Sequence, residues 1–275
     1  MGEVKEYFKE KAKEYDDVDH QLYWVLSDML LWNIFDEQVL SNYSDKEFTF
    51  LDAGAGTGRW TLKILEKYPK AKGIMIDLSS DMIDVAKEKL NSRGYSDRVE
   101  IIIDNLDTVK VDESVVDISF TFHNVLGFVE NPQIVIGKMN KTTKLNGYVV
   151  CGVPNFYHNI YFNIASNNLD LASETFNNHM GRFTKEMPQM HMFTPVILKK
   201  IYSDIKIKNI NVHGFPVCIY PGYSETQLHG QTKSLKNALE DTDYFNKIYE
   251  MEKKLIMNEE CACRGNQIVI IGKKS

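Results

Sequence analysis

An acid and three glycines stand together where an apolar run ends. The segment FTFLDAGAGTGRW carries β-branched and aromatic residues up to Asp52, and Gly54, Gly56 and Gly58 follow at alternate positions. Glycines in a turn let a ligand approach the backbone closely. The dinucleotide fingerprint G-x-G-x-x-G does not fit, because the sixth position counted from Gly54 is Arg59. A carboxylate here would repel a pyrophosphate and attract a ligand that carries an ammonium and a sulfonium.

The surrounding elements predict where this turn lies. Strand-like runs FTFLDA, KGIMID, VEIIID, VVDISFTF and GYVVCGV alternate with helical stretches near 58–68, 80–92 and 131–142. Such alternation indicates βαβ units and a parallel sheet with helices on both faces, a Rossmann-like α/β fold. Ligands of open parallel sheets bind at the carboxyl ends of the strands. The glycine turn and the polar residues that close the other strands are therefore expected at one edge.

The D-x-G-x-G-x-G run resembles the first motif of class I S-adenosylmethionine-dependent methyltransferases, which have a seven-stranded, mostly parallel sheet. Asp77 ends the second strand, where a carboxylate can accept both ribose hydroxyls. Leu78-Ser79-Ser80-Asp81-Met82 resembles the family's D-L-S-x-x-M, in which Leu78 and Met82 would flank the adenosine. The resemblance implies S-adenosylmethionine as cofactor and adenosylhomocysteine as product.

The residues that follow the third and fourth predicted strands also resemble this methyltransferase family. Asp104-Asn105-Leu106 occupies the adenine-reading site, although most relatives have an acid where Asn105 stands. An amide oxygen can still face the adenine amino group. The segment FHNVL resembles the family's loop beneath the methionine part of the cofactor, which places His123 beside it.

Three further residues are candidates at the cofactor. Arg59 resembles an arginine that pairs with the cofactor's carboxylate in many relatives. A guanidinium suits such a bidentate contact. Tyr15, in KAKEYDD, resembles the tyrosine of an N-terminal Y-D motif that closes over the cofactor; a solvated helix end is an equally good interpretation. His123 is the best-placed general base, needed only for a nucleophile that is protonated at working pH. A hydrogen bond from His123 to backbone or cofactor is the simpler role.

The segments that do not belong to the predicted sheet and its helices are expected to form a lid over the site. Residues 1–45 form an N-terminal helical cap and residues 46–275 the methyltransferase core, with irregular insertions at about 155–192 and 215–240. Aromatic and histidine side chains of these insertions are predicted to contact the substrate, although each could equally be packed core. They are Tyr157, His158, His191 and Tyr220.

The composition and charge of the chain indicate which binding partners are disfavoured. The net charge of −6 gives no general attraction to nucleic acid or anionic membranes. The N-terminus is charged and does not resemble a signal peptide, and the four scattered cysteines are expected to be reduced thiols. A cytoplasmic location is therefore expected. No metal is expected, because Cys261-Ala262-Cys263 lacks a second ligand pair at zinc spacing and FHNVL contains no acid. The oligomeric state is not readable.

The sequence leaves several acceptors and several functions possible. Over nearly its full length the layout resembles bacterial methyltransferases that esterify the carboxylate of a carboxymethoxy-modified wobble uridine in tRNA, a subfamily that also includes small-molecule enzymes. Lysines at 199, 200, 206 and 208 form the densest basic cluster, too little for a phosphate-binding surface, so a small molecule is favoured. A nicotinamide-dependent oxidoreductase is disfavoured by the glycine spacing, and a non-catalytic cofactor-binding protein by the complete motif and the cleft-forming insertions.

Overall fold

A seven-stranded sheet forms the centre of the computed structural model, which describes residues 2–12, 15–219 and 239–275. The strand order is β3-β2-β1-β4-β5-β9-β8. Strands β1 to β5 are parallel, and β9 runs antiparallel to both of its neighbours. The strands are β1 (Phe48–Ala53), β2 (Ala71–Asp77), β3 (Val99–Ile103), β4 (Val116–Thr121), β5 (Thr143–Pro154), β6 (Met180–Gly181), β7 (Met190–His191), β8 (Ile207–Phe215) and β9 (Gln267–Lys274), with β6 and β7 paired as a separate hairpin.

Helices cover both faces of the sheet, which confirms the predicted fold class. In chain order they are α1 (Gly2–Lys11), α2 (Leu22–Gln38), α3 (Arg59–Lys67), α4 (Ser80–Ser92), α5 (Val125–Phe128), α6 (Pro132–Thr142), α7 (Phe156–Ala165), α8 (Leu169–Asn178), α9 (Pro195–Asp204) and α10 (Thr242–Leu255). Single 3₁₀ turns lie at Tyr15–His20, Leu40–Tyr43, Ser96–Arg98 and Glu259–Arg264. Thr194 caps α9 by accepting a hydrogen bond from the Ile197 amide, and Pro195 begins the helix.

Two apolar cores flank the sheet and fix its carboxyl edge. One lies under α2, α3 and α4 and contains the fully buried rings of Phe35, Phe48, Phe50 and Phe120. The other lies under α6 and α9 and contains Tyr202, whose side chain is also fully buried. Helix α2 contacts the sheet on one side and α10 on another. Its apolar residues are spread around the helix, as expected for a helix covered on two sides.

The first insertion is more regular than its sequence predicts. Residues 155–192 read as weakly periodic, yet the chain folds there into α7, α8 and the β6–β7 hairpin. The reason is a buried polar contact between the two helices: Thr175 Oγ1 donates to Asn159 Oδ1 at 2.6 Å, and Asn163 Nδ2 donates to the same oxygen at 3.1 Å. Asparagines that satisfy one another can occupy positions where a periodicity count expects apolar residues. Of the second insertion, residues 220–238 lie outside the described part of the chain.

The longest helices are too short or too polar for a bilayer. Among residues 2–12, 15–219 and 239–275, no helix has the length and apolar character that a membrane span requires.

Candidate functional site

A cavity of about 100 Å³ lies at the carboxyl edge of the sheet, beneath α1. Its walls are mostly apolar, with Phe8 of α1 and Phe128 of α5 in edge-to-face contact at 5.3 Å between ring centroids. Most of the cofactor residues predicted from sequence line it together: Tyr15, Gly54, Gly56, Asp77, Leu78, Met82, Asn105, Leu106 and His123.

The glycine turn is held open by its backbone. Gly54 and Gly56 have φ values of +81° and +52°, in the left-handed region that side chains with a Cβ disfavour. The amides of Gly54 and Ala55 both donate to the Ile76 carbonyl, at 2.7 and 3.1 Å, which ties the turn to β2. A Cβ built on Gly56 would meet no protein atom within 4 Å, so this position is open for a ligand to approach.

Asp77 joins the two loops that form the floor of the cavity. Its Oδ2 accepts from the Gly56 amide and its Oδ1 from the Ser79 amide, both at 2.8 Å. Burial raises the pKa of Asp77, while the backbone hydrogen bonds work against that increase. Each carboxylate oxygen has a second acceptor position. The pair of oxygens can therefore receive two vicinal hydroxyls without giving up either amide.

Two residues of the glycine motif lie behind the cavity and do not line it. Asp52 is 3% exposed and accepts from Thr61 Oγ1 at 2.7 Å; burial raises the pKa of Asp52 to about 7. Gly58 opens α3 with φ +75°, and a Cβ there would lie 3.2 Å from the Ala86 Cβ, so Gly58 serves helix packing. Asp52 therefore lies behind the turn and does not line the cavity.

The predicted adenine-reading loop reaches the cavity through Asn105 and Leu106, whereas Asp104 is exposed outside it. Asp104 Oδ1 accepts from the Asn105 amide at 2.7 Å. Sequence reasoning missed Lys138 of α6, whose ammonium donates to the carbonyls of Leu106, Asp107 and Val109 at 3.1, 2.7 and 2.9 Å. One ammonium thus holds three carbonyls of this loop in place.

The His123 loop has an unusual backbone and a charged neighbour. His123 and Asn124 both have positive φ values, +53° and +67°. The His123 Nε2 lies 3.4 Å from Asp28 Oδ1, and its ring lies 5.6 Å from the Trp60 ring between centroids. Asp28, on α2, was not predicted. The only sequence signal is an acid within the apolar run VLSDMLLW.

Arg59 forms ion pairs with carboxylates of the protein itself. Its Nη2 lies 2.6 Å from Asp28 Oδ2 and its Nε 4.0 Å from Asp16 Oδ1. The arginine lines a second cavity of about 450 Å³ between α2, α3 and α4. In this structure Arg59 contacts Asp28, and a contact of Arg59 with a cofactor carboxylate stays a prediction.

The N-terminal turn is latched to the core by Asp16. This carboxylate accepts from Thr57 Oγ1 at 2.7 Å and from Lys89 Nζ at 2.6 Å. The neighbouring Tyr15 lines the cavity, and burial raises the pKa of Tyr15 to about 12, so its hydroxyl stays protonated. Tyr15 was predicted from the Y-D pair, but the latching role of Asp16 was not.

The predicted substrate residues lie apart from the cavity lining. Tyr157 is half exposed on α7, and His191 pairs with Met180 in the hairpin. His158 is 4% exposed among aromatic rings, with Phe183 at 6.1 Å between centroids, and burial lowers the pKa of His158 to about 4. That environment is one of a packed, neutral histidine. Tyr220 lies outside the described residues.

Residues 2–12, 15–219 and 239–275 contain no group of three or more His, Cys, Asp or Glu side chains arranged to hold a metal ion.

Part of the chain is similar in sequence to known methyltransferases. Residues 50–147 match the family described as methyltransferase domain. The chain is 30% identical over 146 residues to tRNA 5-carboxymethoxyuridine methyltransferase of Escherichia coli, 53% of this chain and 54% of that protein. It is 31% identical over 112 residues to malonyl-[acyl-carrier protein] O-methyltransferase of Priestia megaterium, 40% of this chain and 36% of that one. The chain thus matches about half, or less, of the length of these curated relatives.

Solved structures share the architecture over the whole chain. A chain of the complex between the Trm112 methyltransferase activator of Haloferax volcanii and a methyltransferase superposes with a TM-score of 0.61, covering 98% of this chain and 97% of that one at 13% identity. A SAM-dependent methyltransferase of Thermotoga maritima gives 0.56, covering 99% and 100% at 14% identity. Residues 50–147 thus match a methyltransferase domain, and the chain has the fold of class I S-adenosylmethionine-dependent methyltransferases.

Proposed function

We propose that this protein transfers a methyl group from S-adenosylmethionine to a nitrogen or oxygen atom of a small-molecule acceptor. The observation that carries the proposal is Asp77, whose two oxygens are each fixed by one backbone amide at the floor of the cavity. This fits a ribose, because two hydroxyl donors meet two preorganised acceptors. The open position at Gly56 fits the close approach of a ligand to the turn.

The cavity residues would divide the cofactor among them. Asp77 would hold the ribose, Leu78 and Met82 would enclose the adenosine, and Asn105 would face the adenine. The acids Asp52 and Asp77 favour a cationic ligand by their charge. When bound, S-adenosylmethionine supplies a methyl group on a sulfonium, ready for in-line displacement. The chain then has to position the acceptor and exclude water, which can provide most of the rate enhancement.

The surface charge supports a small acceptor. Lys200 is paired with Asp204 at 2.8 Å, and Lys199 is paired with Glu259. Arg182, in the hairpin, donates to the Lys185 carbonyl at 3.2 Å. Cations engaged in this way make a weak track for a phosphate backbone, whose contacts dominate nucleic-acid affinity.

A carboxyl group of a wobble uridine in tRNA is the second candidate. The match to the tRNA methyltransferase of Escherichia coli favours it, because that match covers 53% of this chain. A third alternative, a cofactor-binding protein without turnover, is separated from both by the same experiment.

The experiment incubates the protein and methyl-labelled S-adenosylmethionine with bulk tRNA and, separately, with a metabolite extract. Label in the extract supports the proposal, and label in tRNA overturns the small-molecule part of it. Calorimetry with adenosylhomocysteine runs in parallel. Binding without transfer to either pool favours the non-catalytic alternative, and no binding overturns the proposal as a whole.

A further inference from the structure

The geometry points to Asp28 and His123 as a proton-accepting pair, so that the acceptor is a nucleophile that must lose a proton. Amines, phenols and alcohols are such nucleophiles, whereas a carboxylate is already ionised at neutral pH. This inference rests on the proposed methyl transfer and narrows its acceptor class.

The contact between the two side chains carries the first step. His123 lines the cavity, and its Nε2 lies 3.4 Å from Asp28 Oδ1. A carboxylate at this distance from an imidazole favours the imidazolium that forms when the ring takes up a proton. Asp28 is therefore a positioning residue, and His123 is the group that would touch the acceptor.

The surroundings of Asp28 hold it in that role. Its other oxygen, Oδ2, lies 2.6 Å from the Arg59 guanidinium, and its side chain is 15% exposed. The Arg59 guanidinium fixes the orientation of this carboxylate. The Trp60 ring, at 5.6 Å between centroids, packs near the imidazole.

The backbone at His123 is an independent observation. His123 and Asn124 both occupy the left-handed region, at +53° and +67°, directly after β4. With this backbone conformation the imidazole lines the cavity and lies next to Asp28.

The proton and electron balance is simple. The bond from the acceptor atom to the methyl carbon forms while the sulfur–methyl bond breaks, and the sulfur keeps the electron pair of that bond. His123 accepts the proton that the acceptor atom loses, through the nitrogen that does not face Asp28, and later releases it to water. No oxidant, reductant or metal takes part in this balance.

The first test measures the pair without turnover. Histidine resonances are followed by NMR as a function of pH in the wild type, in Asp28→Asn and in Asp36→Asn. Asp36 is the matched control, because it also lies on α2 and pairs with a basic residue of α3, Lys67, at 2.6 Å. Asp28→Asn is expected to lower the pKa of His123 by about one unit, since it removes the negative charge that favours the imidazolium.

The other ionisable groups at this end of the cavity are the same in both variants, so the difference between them isolates Asp28. They are Tyr15, Asp16, Arg59 and Asp77. Equal titration of His123 in the wild type and Asp28→Asn overturns the pair.

The second test identifies the acceptor class without knowing the acceptor. Methyl-labelled product from the extract and tRNA incubations is treated with alkali, which releases label from methyl esters but not from methylated amines or ethers. Alkali-stable label, lost about a hundredfold in His123→Gln, is expected. Alkali-labile label overturns the inference, as does unchanged turnover in His123→Gln. Failure of adenosylhomocysteine binding in calorimetry would instead be a failure of the proposed function.

Discussion

Replacing Asp77 by asparagine tests the floor of the cavity most directly. The carboxylate accepts from Gly56 through one oxygen and from Ser79 through the other, both at 2.8 Å. Asparagine keeps one acceptor oxygen and puts an NH₂ donor in place of the second. A ribose would then lose one charged acceptor, which is worth about 1.5–3 kcal/mol. That difference corresponds to a roughly ten- to hundredfold weaker Kd for adenosylhomocysteine.

The cost to folding is expected to be smaller. One backbone amide loses its partner, but the variant no longer ionises a carboxyl whose pKa burial raises. Isothermal titration calorimetry gives the Kd and differential scanning calorimetry the melting temperature. Asp117→Asn is the control, since Asp117 also accepts from a backbone amide, that of Thr49 at 2.8 Å, but at the opposite edge of the sheet. An Asp77→Asn Kd within about threefold of the wild type would refute the assignment of Asp77 to the ribose, because even the smallest expected loss is about tenfold.

Three further outcomes are expected. Gly56→Ala and Gly94→Ala should lower the melting temperature alike, because both glycines have positive φ and open space around a Cβ; only Gly56→Ala should weaken adenosylhomocysteine binding in calorimetry. Because the folded pKa of Asp52 is about 7 against a reference of 3.8, folded Asp52 holds its proton longer than the unfolded chain does. The free energy of unfolding should therefore decrease by a few kcal/mol between about pH 4 and 7 in urea titrations, and the Asp52→Asn variant should lack this component. Lys138→Met removes the ammonium that binds three carbonyls of the adenine-side loop, and should raise the Kd for adenosylhomocysteine by about tenfold with the cavity otherwise intact.

The sheet and the polar residues at its edge could be predicted because both follow from local patterns. Short apolar runs gave the strands, and the residue that closes each strand must lie at the carboxyl edge. This pattern places Asp77, Asn105 and His123 at that edge, and all three line one cavity.

The partners of those residues could not be predicted, because they come from distant helices. Asp28 meets His123 across 95 positions of sequence, and Lys138 meets the loop after β3 across a helix and a strand. An acid in an apolar helix and a lysine on an amphipathic one have no local signal for such contacts. The ion pair of Arg59 is of the same kind: the position of Arg59 after the turn is local, but Asp28 lies on α2.

The regular structure of the first insertion could not be predicted for a different physical reason. Asn159, Asn163 and Thr175 are fully buried and hydrogen-bonded to one another, so polar residues occupy the interior of a helix pair. Hydropathy counts such residues as solvent-facing. The burial of His158 could not be read from its residue type either, and its contact with substrate stays a prediction.

Helix α1 has no buried residue of its own, yet Val4 and Phe8 face the cavity. A molecule seated there would cover these two side chains and add to the apolar contact that Phe8 makes with Phe128. Occupancy of the cavity and the stability of α1 are therefore thermodynamically linked. A protease that cleaves within this segment would be slowed by adenosylhomocysteine, which makes the N-terminus a reporter of ligand binding that needs no enzymatic assay.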